Sequence, residues 1–322
     1  MSSLPYLKLA GYFVEYGGIA TLLTNSLLIH LTCNKIKTID ATYKALIVLM
    51  AVLGIIFSLL EIALNPFTHS YNESFIFFAG SEATGTSLSI QLGLLCCFAT
   101  SYMIVICCLA IQFIYRYSLL LSPQMLNWFP DGRFAICVEY TLVCIVFWAA
   151  AFVQLLPDQY STGYVKKEME MNYEFDARYL AQYHLVAYNE HGDFRLGNLA
   201  ALCSLSSILV LQYVIMLYFG FKTHYGIKAI VATGSARSHR MHSQLFKTLL
   251  LQISIPSIFY NSPVFLLYII PYLGLQISFP SGVMNFIFSL YPATDGVILM
   301  GMVEEYRDIV KSEIQSFNEG GV

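Results

Sequence analysis

The chain has 322 residues, of which 57% are hydrophobic and only 11% charged, with a formal net charge of −3. Ordinary globular chains carry about a quarter charged residues, so a soluble two-domain protein is excluded. No basic stripe with interleaved aromatics is present, so no nucleic-acid partner is expected.

Four stretches contain no Asp, Glu, Lys or Arg: Tyr16–Asn34, Ala83–Tyr115, Leu196–Phe221 and Thr248–Thr294. About 20 apolar residues cross a bilayer, so the chain is a polytopic membrane protein. The predicted spans are residues 11–33, 45–64, 88–115, 134–156, 196–220, 244–270 and 281–303. The last two come from dividing the longest run at Pro271, Gly274, Pro280 and Gly282. The fold class is therefore all-α integral membrane, a seven-transmembrane helix bundle over residues 1–303 with a helical polar tail over 304–322. The start, MSSLPYLKLAGYF, has no basic n-region or small-residue cleavage site, so the first span is expected to anchor itself.

Lys and Arg in short loops set the orientation. The loops after spans one, three and five, with the tail and Lys247 at the foot of span six, hold Lys35, Lys37, Lys44, Arg116, Arg133, Lys222, Lys228, Arg237, Arg240, Lys247, Arg307 and Lys311. The loops after spans two and six hold none. The N-terminus is thus expected outside and the C-terminus inside. The sequon Asn72-Glu73-Ser74 then lies outside, where Asn72 can accept a glycan. Residues 157–195 form a polar outer segment that cannot span and has no cysteine.

The eight cysteines lie within or at the ends of apolar runs and read as free thiols packing as small apolar groups. No Cys or His spacing suits zinc, and neither metal nor cofactor is expected. HExxH, GxSxG, strand-linked GxGxxG and phosphate-loop motifs are missing, so the chain is not read as an enzyme.

Several buried polar positions invite a role. Asp295 lies roughly 13 Å up its helix from Glu304, and Asn25 about 15 Å from Lys35. Ionisable groups at such depth mark functional sites by default. A bond between Asn25 and Asp295 that rearranges on activation is one expectation; a static helix-gluing Asp is the other. Glu61, near the outer end of span two, faces either a ligand pocket or the interface. Glu139 reads as a solvated edge residue, and His184, His191, His224, His239 and His242 as solvated loop residues. Arg116 either snorkels to headgroups or enters a partner-binding crevice. Pro256 and Pro263 build two bends into span six and Pro292 lies in span seven; neighbouring groups re-satisfy the freed carbonyls in such spans.

Four blocks in order resemble one family: TYKALIVLMAVLGIIFSLLEIALNPFTHSY, FIYRYSLL, QLFKTLLLQISIPSIFYNSPV and SLYPATDGVILMGMVEEYR. They are similar to the nematode serpentine chemoreceptors of the Str family (class r), seven-span G-protein-coupled odorant receptors. The family commonly has Asp-Pro in span seven, where this chain has Asp295-Gly296. Lys247 at the foot of span six provides no acid to lock Arg116. The resemblance implies a small apolar or volatile odorant, a heterotrimeric G protein met through its Gα C-terminus, and the ciliary membrane of chemosensory neurons. Expected pocket residues are Glu61, Ser101, Tyr102, Tyr260 and Asn261. The expected G-protein face is Arg116, Tyr117, Arg237, Arg240, Lys247 and Arg307. A seven-span ligand-gated channel subunit and a small-solute transporter are the competing classes.

Overall fold

The computed structural model describes residues 2–80, 87–126, 134–230 and 236–319. Seven membrane-length helices form a bundle: α1 (Leu4–Asn34), α2 (Ala41–Leu64), α3 (Leu88–Leu121), α5 (Phe134–Gln154), α7 (Leu196–Ile230), the composite helix starting at α8 (Ala236–Pro256), and α10 (Asn285–Met302). A short helix, α4 (Pro123–Leu126), follows α3. Six of these, α1 excepted, are long and apolar enough to cross a membrane. The seventh, α1, carries Thr21, Thr24, Asn25 and His30 yet packs along both α2 and α10. The central helix is α3, whose Leu95, Met103, Ile106, Cys107, Leu109 and Ala110 are fully buried in the main core.

The sixth span is interrupted by chemistry written in its prolines. After Pro256 comes a π-helical turn, Ser257–Asn261, then α9 (Ser262–Ile269) and a 3₁₀ turn, Ile270–Leu273. A proline has no N–H for the carbonyl four residues back, here that of Gln252. Tyr291 Oη on α10 donates to that oxygen at 3.2 Å, so a neighbouring span supplies the missing donor.

The outer end is a folded cap. Strands β1 (Pro66–Tyr71), β2 (Ser74–Ala79), β3 (Gln182–Val186) and β4 (Ser278–Phe279) form one antiparallel sheet in the order β3-β2-β1-β4. Asn65 (φ 42°) ends α2 in the left-handed conformation and turns the chain into β1; Asn72 (φ 47°) sits in the hairpin turn. Helix α6 (Gln159–Tyr173) starts at a reciprocal capping box between Asp158 and Ser161 and lies on the sheet. The segment 157–195, which has no cysteine, is therefore held by strand pairing and by a buried polar clasp.

His69 is the centre of that clasp. Its Nε2 faces Glu168 Oε1 at 3.2 Å and its Nδ1 faces Tyr173 Oη at 2.8 Å. A carboxylate only accepts, so Nε2–H donates to Glu168, and Nδ1 shares the second bond with the Tyr173 hydroxyl. Asn172 Nδ2 donates to Glu168 Oε1 at 2.8 Å, Ser278 Oγ donates to the same oxygen, and Ser3 Oγ donates to Asn172 Oδ1 at 2.9 Å. Burial raises the Glu168 carboxyl, but the bonds from His69, Ser278 and Asn172 outweigh it and hold it below the usual carboxylate range. The clasp thereby ties β1, α6, β4 and the N-terminus together.

His184, expected to be solvated, is instead fully buried in β3 with neither ring nitrogen paired. It was misread because the strand holding it lies in a polar segment. At the inner end, α11 (Glu304–Glu319) follows α10 and packs back on the first inner loop. Tyr306 is fully buried, its Oη 2.7 Å from Thr32 Oγ1, and Glu305 Oε1 accepts from the Lys37 and Thr38 amides. All eight cysteines are free.

Candidate ligand cavity and cytoplasmic latch

Beneath the sheet lies a cavity of about 80 Å³. Its roof is Thr68, Phe75 and Phe77 from the hairpin; its walls include Phe98, Trp148, Phe152, Leu205, Tyr268 and Phe288. In β2 side chains alternate between faces: Phe75 and Phe77 point into the cavity, while Ile76 and Phe78 face α6 and join Val165, Met169 and Tyr173 in a separate apolar cluster. Aromatic walls with few polar groups suit a small apolar ligand.

Some of the polar groups meet where span six bends, while Thr68, Ser281 and Asn285 lie at the roof end. Tyr102 Oη on α3 donates to Asn261 Oδ1, Asn261 Nδ2 donates to Tyr213 Oη on α7, and Tyr213 Oη lies 2.8 Å from Ser257 Oγ. Ser257 and Asn261 are the two ends of the π turn. One hydrogen-bonded chain thus links spans three, five and six, and Tyr102 and Asn261 also line the cavity.

Of the pocket residues expected from the sequence, Tyr102 and Asn261 border the cavity. Ser101 does not; it is buried and its Oγ donates to Phe98 O of its own helix at 2.7 Å. Glu61 is also elsewhere, accepting from Ser289 Oγ at 2.6 Å between spans two and seven. The helical register turns both away. The side chain of Tyr260 lies outside the described residues. The aromatic roof was legible only as SFIFFA, a short continuous apolar run of the kind that a strand buried on both faces shows.

Asn25 and Asp295 do not meet in this conformation. The Asn25 amide fills a niche between Gly54 and Gly296, lying 2.7 and 2.8 Å from where a Cβ on each would stand. Only glycine permits that approach. Asp295 faces Gln252 of the sixth span. Pro292 and Asp295 border a smaller cavity with Tyr102, Tyr291 and Met50, one layer below the first. Pro263 occupies the first turn of α9.

At the inner end Arg116 neither snorkels nor faces the cytoplasm. It is 2% exposed, and its guanidinium lies 3.5 Å above the Tyr43 ring of α2. Nε and Nη2 have no hydrogen-bond partner, so the ring face is its main stabilising contact. The preceding Tyr115 donates from Oη to Asp40 Oδ2 at 2.5 Å. Asp40 also caps α2 through the Thr42 amide at 2.9 Å. Burial raises the Asp40 carboxyl, but the bonds from Tyr115 and the nearby amides outweigh it and keep it below its ordinary value. Span three is therefore latched to span two and its loop. Tyr117 packs on Phe219 of α7 at 5.2 Å.

The foot of span six has its own tie. Arg240 pairs with Glu304 at 3.3 Å, Arg307 approaches the same oxygen at 3.9 Å, and the Glu304 amide donates to Gln244 Oε1 at 3.3 Å. Lys247 is exposed, and the Arg237 side chain lies outside the described residues.

A family profile described as "Serpentine type 7TM GPCR chemoreceptor Str" matches residues 10–311. The chain is 36% identical over 300 residues to G-protein coupled receptor str-33 of Caenorhabditis elegans, covering 91% of this chain and 87% of that one. It is 26% identical to Serpentine receptor class r-10 of Caenorhabditis elegans, over 83% of this chain and 79% of that protein. Among solved structures squid rhodopsin superposes with a TM-score of 0.65 at 11% identity, covering 98% of this chain and 87% of that one; this likeness concerns the fold. Seven helices in that arrangement, with the profile and the relative at 36% identity, place the chain in one group: it belongs to the Str family of serpentine seven-transmembrane G-protein-coupled chemoreceptors.

Proposed function

We propose that the receptor detects a small apolar, volatile odorant in the cavity under the sheet, at the ciliary membrane of a chemosensory neuron. The observation that carries this reading is the coincidence of cavity and hinge: Asn261 both borders the cavity and ends the π turn of span six. A ligand there contacts the Tyr102–Asn261–Tyr213 chain directly. Its binding shifts the receptor toward the signalling arrangement only through a difference in affinity between the two arrangements. That difference comes from a changed bend at Pro256 and Pro263, which swings the span-six foot away from Glu304.

The swing and the release of Arg116 from Tyr43 together expose a basic crevice. Arg116, Tyr117, Arg237, Arg240, Lys247 and Arg307 are its proposed contacts with the Gα C-terminus. Asn25, buried, and Asp295, half-buried, at mid-bundle beside Pro292, form the proposed relay between cavity and crevice. Asn72 in the hairpin turn is the proposed glycan site.

The test is expression in a heterologous cell with a panel of volatile molecules and a Gα activation readout. Response to at least one apolar molecule, lost in Asn261→Leu at unchanged surface level, is the expected result. Ligand-evoked current that persists without Gα overturns the reading in favour of a channel.

A further inference from the structure

Two layers cover the outer side of the cavity. Phe75 and Phe77 of β2 form the first, and behind them Ile76 and Phe78 pack on α6. The His69 clasp pins both layers to the N-terminus and to β4.

The side toward the lipid is different. Phe265 of α9 borders the cavity and is also 46% exposed on the outer surface. Across from it on α7, Ser206 and Leu209 line the cavity and are only half-buried, as is Val264. A side chain that reaches both an internal space and the outside stands at a mouth. Ser206 lies roughly 15 Å below the outer end of α7 at Leu196, and Phe265 roughly 12 Å below Leu273. Both depths fall within a hydrocarbon layer about 30 Å thick, so the mouth opens onto acyl chains.

We propose that ligands reach the cavity sideways from the bilayer, between α7 and α9, and that the receptor therefore selects molecules that partition into membranes. Water-borne polar molecules meet the sheet and α6, while an apolar molecule dissolved in the outer leaflet meets Phe265, Ser206 and Leu209. This inference rests on the reading of the cavity as the ligand site, and its test does not depend on signalling.

Trp148 lines the cavity and is only 6% exposed, so a collisional quencher must enter to reach it. The chain has two tryptophans, and Trp128→Phe leaves Trp148 as the single fluorophore. The receptor, in lipid nanodiscs, is mixed in a stopped-flow instrument with 1-bromohexane, which partitions into lipid, or with acrylamide, which stays in water. Quenching by 1-bromohexane and not by acrylamide is expected. Ser206→Phe, which narrows the mouth, slows that quenching about tenfold, and Phe265→Ala, which widens it, speeds it several-fold. His69→Phe, which loosens the roof, leaves the rate unchanged.

A rate indifferent to both mouth substitutions, or one that rises in the roof variant, overturns the proposal. Should Ser206→Phe lower the yield of folded receptor, Phe265→Ala decides alone. Mouth-dependent quenching in a receptor that no volatile activates sinks the odorant reading and leaves the lateral path standing.

Discussion

His69→Phe is the most informative single change in the outer cap. The substitution keeps a planar ring of similar volume and removes both hydrogen bonds of the imidazole. The Tyr173 hydroxyl loses a partner in a site that is fully buried, while Glu168 keeps Asn172 and Ser278. A neutral bond contributes about 1 kcal/mol and one to a charged group about 1.5–3 kcal/mol, giving about 3 kcal/mol in all. At about 1.4 kcal/mol per factor of ten, local opening of the sheet rises roughly 150-fold. Amide hydrogen exchange in nanodiscs, followed on peptides covering 66–79 and 182–186, reads this directly. Protection in α3 should stay constant, because the main core does not include the clasp. A change below about threefold in the strands refutes the clasp as the device that holds the cap. So does equal loss in α3.

Three further outcomes follow from other parts of the molecule. Tyr43→Leu removes the ring under Arg116, an interaction of about 1 kcal/mol, and should raise ligand-free nucleotide exchange on the G protein about fivefold; unchanged basal exchange refutes the latch. Pro256→Leu restores an N–H that competes with Tyr291 for the Gln252 carbonyl, so signalling should fall more than surface expression. If both fall together, the proline is only structural. Burial lowers the His184 pKa from 6.5 to about 4, with Asp158 opposing the shift and Arg195 reinforcing it. The unfolded imidazole then binds a proton first, so cap stability is flat above pH 6.5 and declines as pH drops from 6.5 to 4, by about 3 kcal/mol in total. Exchange of the β3 amides against pH checks the sign, and His184→Phe should abolish the slope attributable to this group.

The seven helices were legible because a span needs a long run without charge, and few other structures need one. The cap was not legible, for three separate reasons. Strand β4 has only two residues, too few for any periodicity. Strand β3 reads QYHLV, and its histidine resembles a solvated residue until the strand is seen to be buried throughout. Strand β1 contains Thr68, His69 and Ser70, which look like a polar loop because the partners of Thr68 and His69 come from sequence positions about a hundred or two hundred residues away. The site divides the same way. Tyr102 and Asn261 were two of the five pocket residues expected alongside the family resemblance, and both border the cavity. The stacking of Arg116 on Tyr43 depends on a packing contact between spans two and three, and no local pattern announces it.

Strand β2 separates two kinds of evolutionary freedom. Its odd positions, Phe75 and Phe77, shape the cavity proposed to hold the ligand, while its even positions, Ile76 and Phe78, belong to the layer that packs on α6. Mutations at the odd positions can alter which molecules fit without touching the buried packing on α6. Mutations at the even positions do the reverse. One short hairpin can therefore vary the shape of the cavity while the layer that packs on α6 keeps its side chains.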